Sequence, residues 1–179
     1  MSNVAKRKIF KQLGVDLITR GVWFLNRAFN VRKSEFTESY LRSFLFGLGI
    51  TSANLSFPDS KYYLLNKATI EEIIKYDWTD KKKYVSDWFD CDNFASVFAA
   101  HMMEIYGVNS VGIMGHVEML DKNTGAHHGW HRINMILVVG NGLEAYMYEP
   151  QTDEWQKIEK GKKYVFGKYE YKIGRTEFN

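Results

Sequence analysis

A chain of 179 residues suits one domain with room for an N-terminal extension. Apolar residues make up 45% of it and charged residues 25%, the balance of a globular protein, and a net charge of +3 is too small to imply a nucleic-acid partner. A single cysteine excludes an internal disulfide, and no apolar run reaches the ~18 residues of a membrane span or the apolar core of a signal peptide, so neither a transmembrane segment nor a signal peptide is expected.

The first 33 residues set Lys6, Arg7, Lys8, Lys11, Arg20, Arg27, Arg32 and Lys33 against the single acid Asp16. Phe10, Leu13, Leu17 and Phe24 approximate one helical stripe among them. Such a basic aromatic helix can pack on the body, or dock a partner, another subunit or a membrane surface. Next, Thr37 can cap a helix running to Leu48, with Gly49 just beyond its end. Residues 1–55 are accordingly read as an N-terminal helical extension and 56–179 as the main domain. The Ser, Asn, Asp and Pro cluster of 51–63 reads as a loop. Thr69 with Glu72 is a capping-box pattern opening a short helix, and residues 79–83 read as a solvated turn.

The stretch after Asp90 has helical periodicity, with Phe94, Val97 or Phe98, Met102 and Ile105 on one face. Asp90 suits the N-cap and Gly107 ends the helix, which puts Cys91 at the first helical position. Strands follow: 109–120, then a polar hairpin loop over 121–129, then 130–139. The last is apolar on both faces and so central to a sheet. Gly140-Asn141-Gly142 signals a tight turn into a return strand, 143–149, which Pro150 ends. Residues 163–173 read as one more strand with alternating aromatics. Helices first and an antiparallel sheet after make an α+β layout.

A thiol at a helix N-terminus lies close to unpaired N–H groups, which favour the thiolate, and a nearby imidazole can take its proton. The bland alternative is a small buried hydrophobe, but Asp90, Asp92 and Asn93 surround Cys91 with polar groups. Of the five histidines, His101 lies in the same helix and is roughly 15 Å along the axis. His127 and His128 fall in the hairpin loop. His131 opens the central strand and is the expected base, with His116 in reserve. Counting back from the turn, Glu149 comes close to His131 and can orient its ring. Asn134 is the rival orienter, although odd spacing turns it away from His131 in a regular strand.

The motifs FDCDNFA, GWHRIN and YEPQT, within residues 60–160, resemble the papain-like or transglutaminase-like cysteine peptidase family that includes the C-terminal domain of Marasmius oreades agglutinin and small phage and bacterial proteins. The resemblance implies a papain-like fold, with the first helix of the motif packed on an antiparallel sheet. It also implies a Cys–His–Glu triad at Cys91, His131 and Glu149, and calcium held by acids such as Asp87, Asp90 and Asp92. Trp130, set between Gly129 and His131, departs from the family pattern. The expected activity is hydrolysis of an amide or peptide bond in a peptide or protein substrate through an acyl-enzyme, with acyl transfer as a sibling outcome. The alternative is an inactive fold serving as a binding or structural protein, such as a phage virion component. The expected location is cytoplasmic or virion-associated.

Overall fold

The computed structural model describes Gly21, residues 31–51 and residues 54–178. The stripe of Phe10, Leu13, Leu17 and Phe24, expected to dock, lies outside the described residues. Residues 32–179 form one compact unit.

That unit is built around a strand that is buried without a break over six residues, five of them apolar and one, Asn134, polar. Strand β5 (His127–Gly140) is buried continuously from Ile133 to Val138. A strand covered on both faces needs partners on both edges, because an unpaired buried N–H or C=O is costly. One edge is taken by the antiparallel strand β4 (Val111–Asp121), which pairs as far as Ile136. Strand β3 (Lys61–Asn66) continues that edge in parallel at Val138 and Val139. The other edge belongs to β6 (Gly142–Glu149), joined through the expected tight turn with Gly140 opposite Gly142. Outer strands complete the sheet. They are β1 (Ser34–Thr37) on β3, β7 (Glu154–Lys157) on β6, and β10 (Arg175–Phe178) on β4, with β2 (Leu55–Ser56) beyond it. A hairpin of β8 (Tyr164–Phe166) and β9 (Tyr169–Lys172) joins the far end of β4.

Three α-helices cover the sheet, each started by a local signal. Helix α1 (Glu38–Gly47) is capped by Thr37, whose Oγ1 accepts the Tyr40 N–H at 3.3 Å. Its Leu41 and Leu45 are fully buried in the core formed by Ile133, Met135 and Leu137 of β5, each leucine contributing about 1.5–3 kcal/mol. Helix α2 (Lys67–Tyr76) is capped by Asn66, whose Oδ1 accepts the Thr69 N–H at 2.9 Å. Helix α3 (Cys91–Tyr106) lies on the opposite side of β5 and buries Phe94, Ala95, Phe98 and Met102. It ends at Gly107, in the left-handed conformation with φ 59°.

The α+β arrangement of a large sheet with three helices is as read from the sequence. The particulars differ in instructive ways. Residues 34–50, assigned above to the extension, supply β1 and α1 to the body, and Ile50 is buried with them. The loop of 51–63 contains β2 and the start of β3, since short outer strands carry little period. Helix α2 starts at Lys67 because Asn66, not Thr69, supplies the cap. His127 and His128 belong to β5 rather than to the loop. The single strand of 163–173 is a hairpin folded at Gly167, which adopts φ 56° and so permits the reversal.

Gly174 packs face-on against a neighbouring strand, and a Cβ there would overlap the Gly115 carbonyl oxygen and the His116 backbone. Gly174→Ala is expected to cost more than about 3 kcal/mol in urea unfolding. Gly47→Ala, in open space at the end of α1, should be neutral or stabilise by up to about 1 kcal/mol.

Candidate functional site

The site forms where β5 outruns its neighbour. The β5–β6 ladder ends at Asn134 opposite Tyr148, while β5 continues back to His127. Beyond Glu149 the chain turns through Pro150, which cannot donate to a ladder, and Thr152 and Asp153 donate back to the Glu149 carbonyl. A cleft of about 550 Å³ opens there, lined on one side by Trp130 and His131 and on the other by the 149–154 turn and the β8–β9 hairpin. Cys91 and Tyr84 close its end.

Cys91 is the first residue of α3, as expected, and is a free, half-buried thiol. Asp90 precedes it in an extended conformation, and its N–H donates to Asn93 Oδ1 at 3.2 Å, which holds the first turn. Asp90 and Asp92 lie side by side. The hydrogen bond with Asp92 holds the Asp90 carboxyl above its ordinary range, and the same bond holds Asp92 below it. Asp92 also approaches Arg132 at 3.7 Å in a half-exposed pair of small energetic weight.

His131 Nε2 donates to Glu149 Oε2 over 2.6 Å, and both side chains are buried. By the hairpin register Glu149 lies across from position 133, two residues from His131 and on the same face, so the contact is a diagonal cross-strand pair. Glu149 is 4% exposed. Its Oε1 accepts the Gln151 N–H at 3.3 Å, and its Oε2 also accepts the Tyr171 hydroxyl at 3.2 Å. The Tyr171 ring stands edge-on to the imidazole at 5.3 Å. Burial pulls the His131 pKa down, but its interactions with Cys91 and with Glu149 outweigh that and hold it at about 9. The ring is therefore a cation at neutral pH, beside a carboxylate. Burial, and then the Glu149 charge, push the Tyr171 hydroxyl far above its ordinary range.

A second hollow of about 300 Å³ lies next to the cleft and shares Cys91, Trp130 and His131 with it. His116 and Arg132 complete its lining. A bulge in β4 sets Gly115 and His116 against the single residue Arg132, and His116 takes a left-handed φ of 55° there. That bulge, invisible to a period-2 reading, brings His116 to the site.

The structure separates the remaining expected residues from this group. Asn134 is fully buried, and its Nδ2 donates to the Ala95 carbonyl at 2.9 Å and the Gly112 carbonyl at 3.3 Å. It ties α3 and β4 to β5 and does not line the cleft. Calcium takes six to eight oxygens. Among the described residues no group of three or more His, Cys, Asp or Glu side chains could hold a metal ion. Asp87 adopts φ 62° in the preceding turn.

The sequence singles out Trp130 only as an insertion and Gln151 and Thr152 only as part of the YEPQT motif, and gives no sign of Tyr84, Glu154 or Tyr171 as cleft residues, although all of them line it. The alternating aromatics of 163–173 were the one available signal. It pointed to a strand and not to a cleft wall.

No family model matches the sequence, and no curated protein matches it. Among solved structures, the fold is similar to that of the Polyporus squamosus lectin. One is a complex of PSL1a with E64, at 20% identity and a TM-score of 0.53, the match covering 68% of this chain and 46% of that one. Another is the lectin bound to the human-type influenza-binding epitope Neu5Acα2-6Galβ1-4GlcNAc, with the same identity, TM-score and coverage of this chain and 45% of the lectin. This chain thus spans under half the length of those proteins. The lectin is related to Marasmius oreades agglutinin, so the resemblance drawn from the motifs holds at the level of fold.

Membership of a peptidase family has no such support. The expectation of a cysteine-dependent amide or peptide hydrolase with a peptide substrate is accordingly corrected. One of those structures is described as a lectin with a bound glycan; at 20% identity the likeness is one of fold. Among the described residues no helix is long and apolar enough to cross a membrane.

The charge pair makes a stability prediction. An imidazole held at about 9 when folded and near 6.5 when unfolded contributes fully below pH 6.5 and is lost as pH rises through 9, a change on the order of 3 kcal/mol. Urea unfolding from pH 6 to pH 9.5 should show wild type losing stability across that window. A His131→Gln variant should show a much flatter profile.

Proposed function

We propose that this chain is a carbohydrate-binding protein on a papain-like frame, with the cleft beside Trp130 as its binding site. The observation that carries the reading is the lining of that cleft. Trp130 is 63% exposed and Tyr84 52% exposed at its rim, although burying such rings would be favourable. Around them stand Gln151, Thr152, Glu154 and Lys168, short- and long-reach hydrogen-bonding groups of both senses. A sugar ring has apolar C–H faces and a rim of hydroxyls. An aromatic platform meets the first, and amides, hydroxyls and charges meet the second. Cleft volume and mixed lining match the size and composition of small-ligand sites.

In this reading His131, Glu149 and Tyr171 form a rigid floor. The imidazolium presents a fixed donor, and the buried carboxylate with its three partners keeps the ring from turning. Preorganised polar groups lose little on binding, which favours affinity for a well-hydrated ligand. The lectin of similar fold is described with a sialylated glycan, and that trisaccharide is a reasonable first probe.

The test is a glycan array followed by calorimetric titration of the best glycans, with Neu5Acα2-6Galβ1-4GlcNAc included. Wild type should bind at least one glycan class. Trp130→Ala should lose about tenfold or more, the scale of one aromatic contact, with an unchanged near-UV spectrum. Trp88→Ala removes an aromatic that is 78% exposed and does not line the cleft, and should stay within twofold. Absence of binding to every glycan, or equal loss in the two variants, would overturn the reading.

A further inference from the structure

The two hollows share three of their lining residues and differ in everything else. From this we infer that the ligand is a linear oligosaccharide of three or more sugars, threaded across the Trp130 ridge through both hollows. The inference rests on the carbohydrate reading above and adds the length and path of the ligand.

A compact ligand would need one enclosed cavity. Here the space is divided, about 550 Å³ on the Glu149 side and about 300 Å³ on the His116 side. Cys91, Trp130 and His131 line both. The two hollows therefore adjoin at these residues, of which Trp130 is the most exposed, at 63%. In the proposed path Trp130 is the ridge. His127 and His116 stand edge-on to its ring at 5.4 Å and 6.3 Å, which braces the indole from two sides.

The chemistry changes across the ridge. The larger hollow offers the carboxylates Glu149 and Glu154, with Gln151 and Thr152 beside them. The smaller one offers the Arg132 guanidinium and the His116 ring nitrogens, beside a His131 whose Nε2–H is already given to Glu149. Arg132 meets Asp92 only at 3.7 Å, in a half-exposed pair, so its donors remain free to turn to a ligand. A chain of repeating sugars presents acceptors and donors along its whole length and can satisfy both sides at once. A single sugar can satisfy only one. With the second hollow at somewhat more than half the volume of the first, a chain placing two rings in the first places one in the second.

The experiment is calorimetric titration of the full chain with β-linked ladders of one to six sugars of the N-acetyllactosamine, chitin and cellulose types. The expected result is a rise in affinity of tenfold or more between two and four sugars in at least one ladder, then a plateau. Arg132→Ala, with its near-UV spectrum unchanged, should bind the four-sugar chain no better than the two-sugar one. Equal affinity for one and four sugars, or an undiminished length step in Arg132→Ala, would overturn the threaded path and leave the carbohydrate reading standing. Failure of every ladder, together with a blank glycan array, would remove both.

Discussion

Strand β5 has to keep its hydrogen bonds on both edges while residues 133–138 are shut off from water, and that constraint shapes the molecule. No single neighbour is long enough to do it. One edge passes from β4 to β3, with the handover between Ile136 and Val138, while β6 serves the other edge from Asn134 onward. Below that point β5 has lost one partner, and the unpartnered stretch becomes one wall of the cleft. The cleft lies where the pairing with β6 ends and the strand is half-exposed.

The same strand sets what faces what. Asn134 looks toward α3 and spends its amide on the Ala95 and Gly112 carbonyls. A buried side-chain amide that bridges a helix and a neighbouring strand fixes their separation, since a slip of one residue would strand donors in an apolar core. The start of α3 is held there, and Cys91 stands at that start. One turn of sequence earlier in β5, His131 looks the other way, toward Glu149 and Tyr171. The position of the thiol and the position of the imidazole are thus both consequences of one strand's alternation. They meet at the cleft, where the first residue of α3 and the opening stretch of β5 share the lining.

Local signals were legible in the amino-acid sequence, and long-range ones were legible only where a count connected them. Thr37, Asp90 and Gly107 act through partners within a few residues, so their roles can be read directly. Glu149 was reachable from His131 by counting because the Gly140-Asn141-Gly142 turn leaves no freedom of register. Asn134 was correctly turned away from His131 by parity, but its partners lie on two other elements that no count reaches. His116 was placed on its strand and held in reserve, but what brings it beside Trp130 and His131 was not legible. The bulge that sets Gly115 and His116 against Arg132 has no period of its own, and Gly174 packs against the same backbone from a distant part of the chain. Tyr171 and the 149–154 turn were overlooked because the cleft wall they form appears only after the β8–β9 hairpin has folded back at Gly167.

What the site does with its charge follows from how completely the charge is held. A buried ion pair is expensive to desolvate and seldom stabilises a fold by itself. Here the carboxylate has three donors, and the imidazole has a carboxylate, an aromatic edge and a thiol around it. Such saturation leaves little of either charge free to move. It does leave a polar floor whose atoms stay in place when water is displaced. Trp130 stands over that floor and is the counterpart of this rigidity. Its exposed ring forgoes burial worth ~2–3 kcal/mol, and two imidazoles hold it in one attitude. A fixed apolar platform thus stands beside a fixed polar floor, the arrangement on which the proposed binding of a ligand with an apolar face and a hydroxylated edge rests.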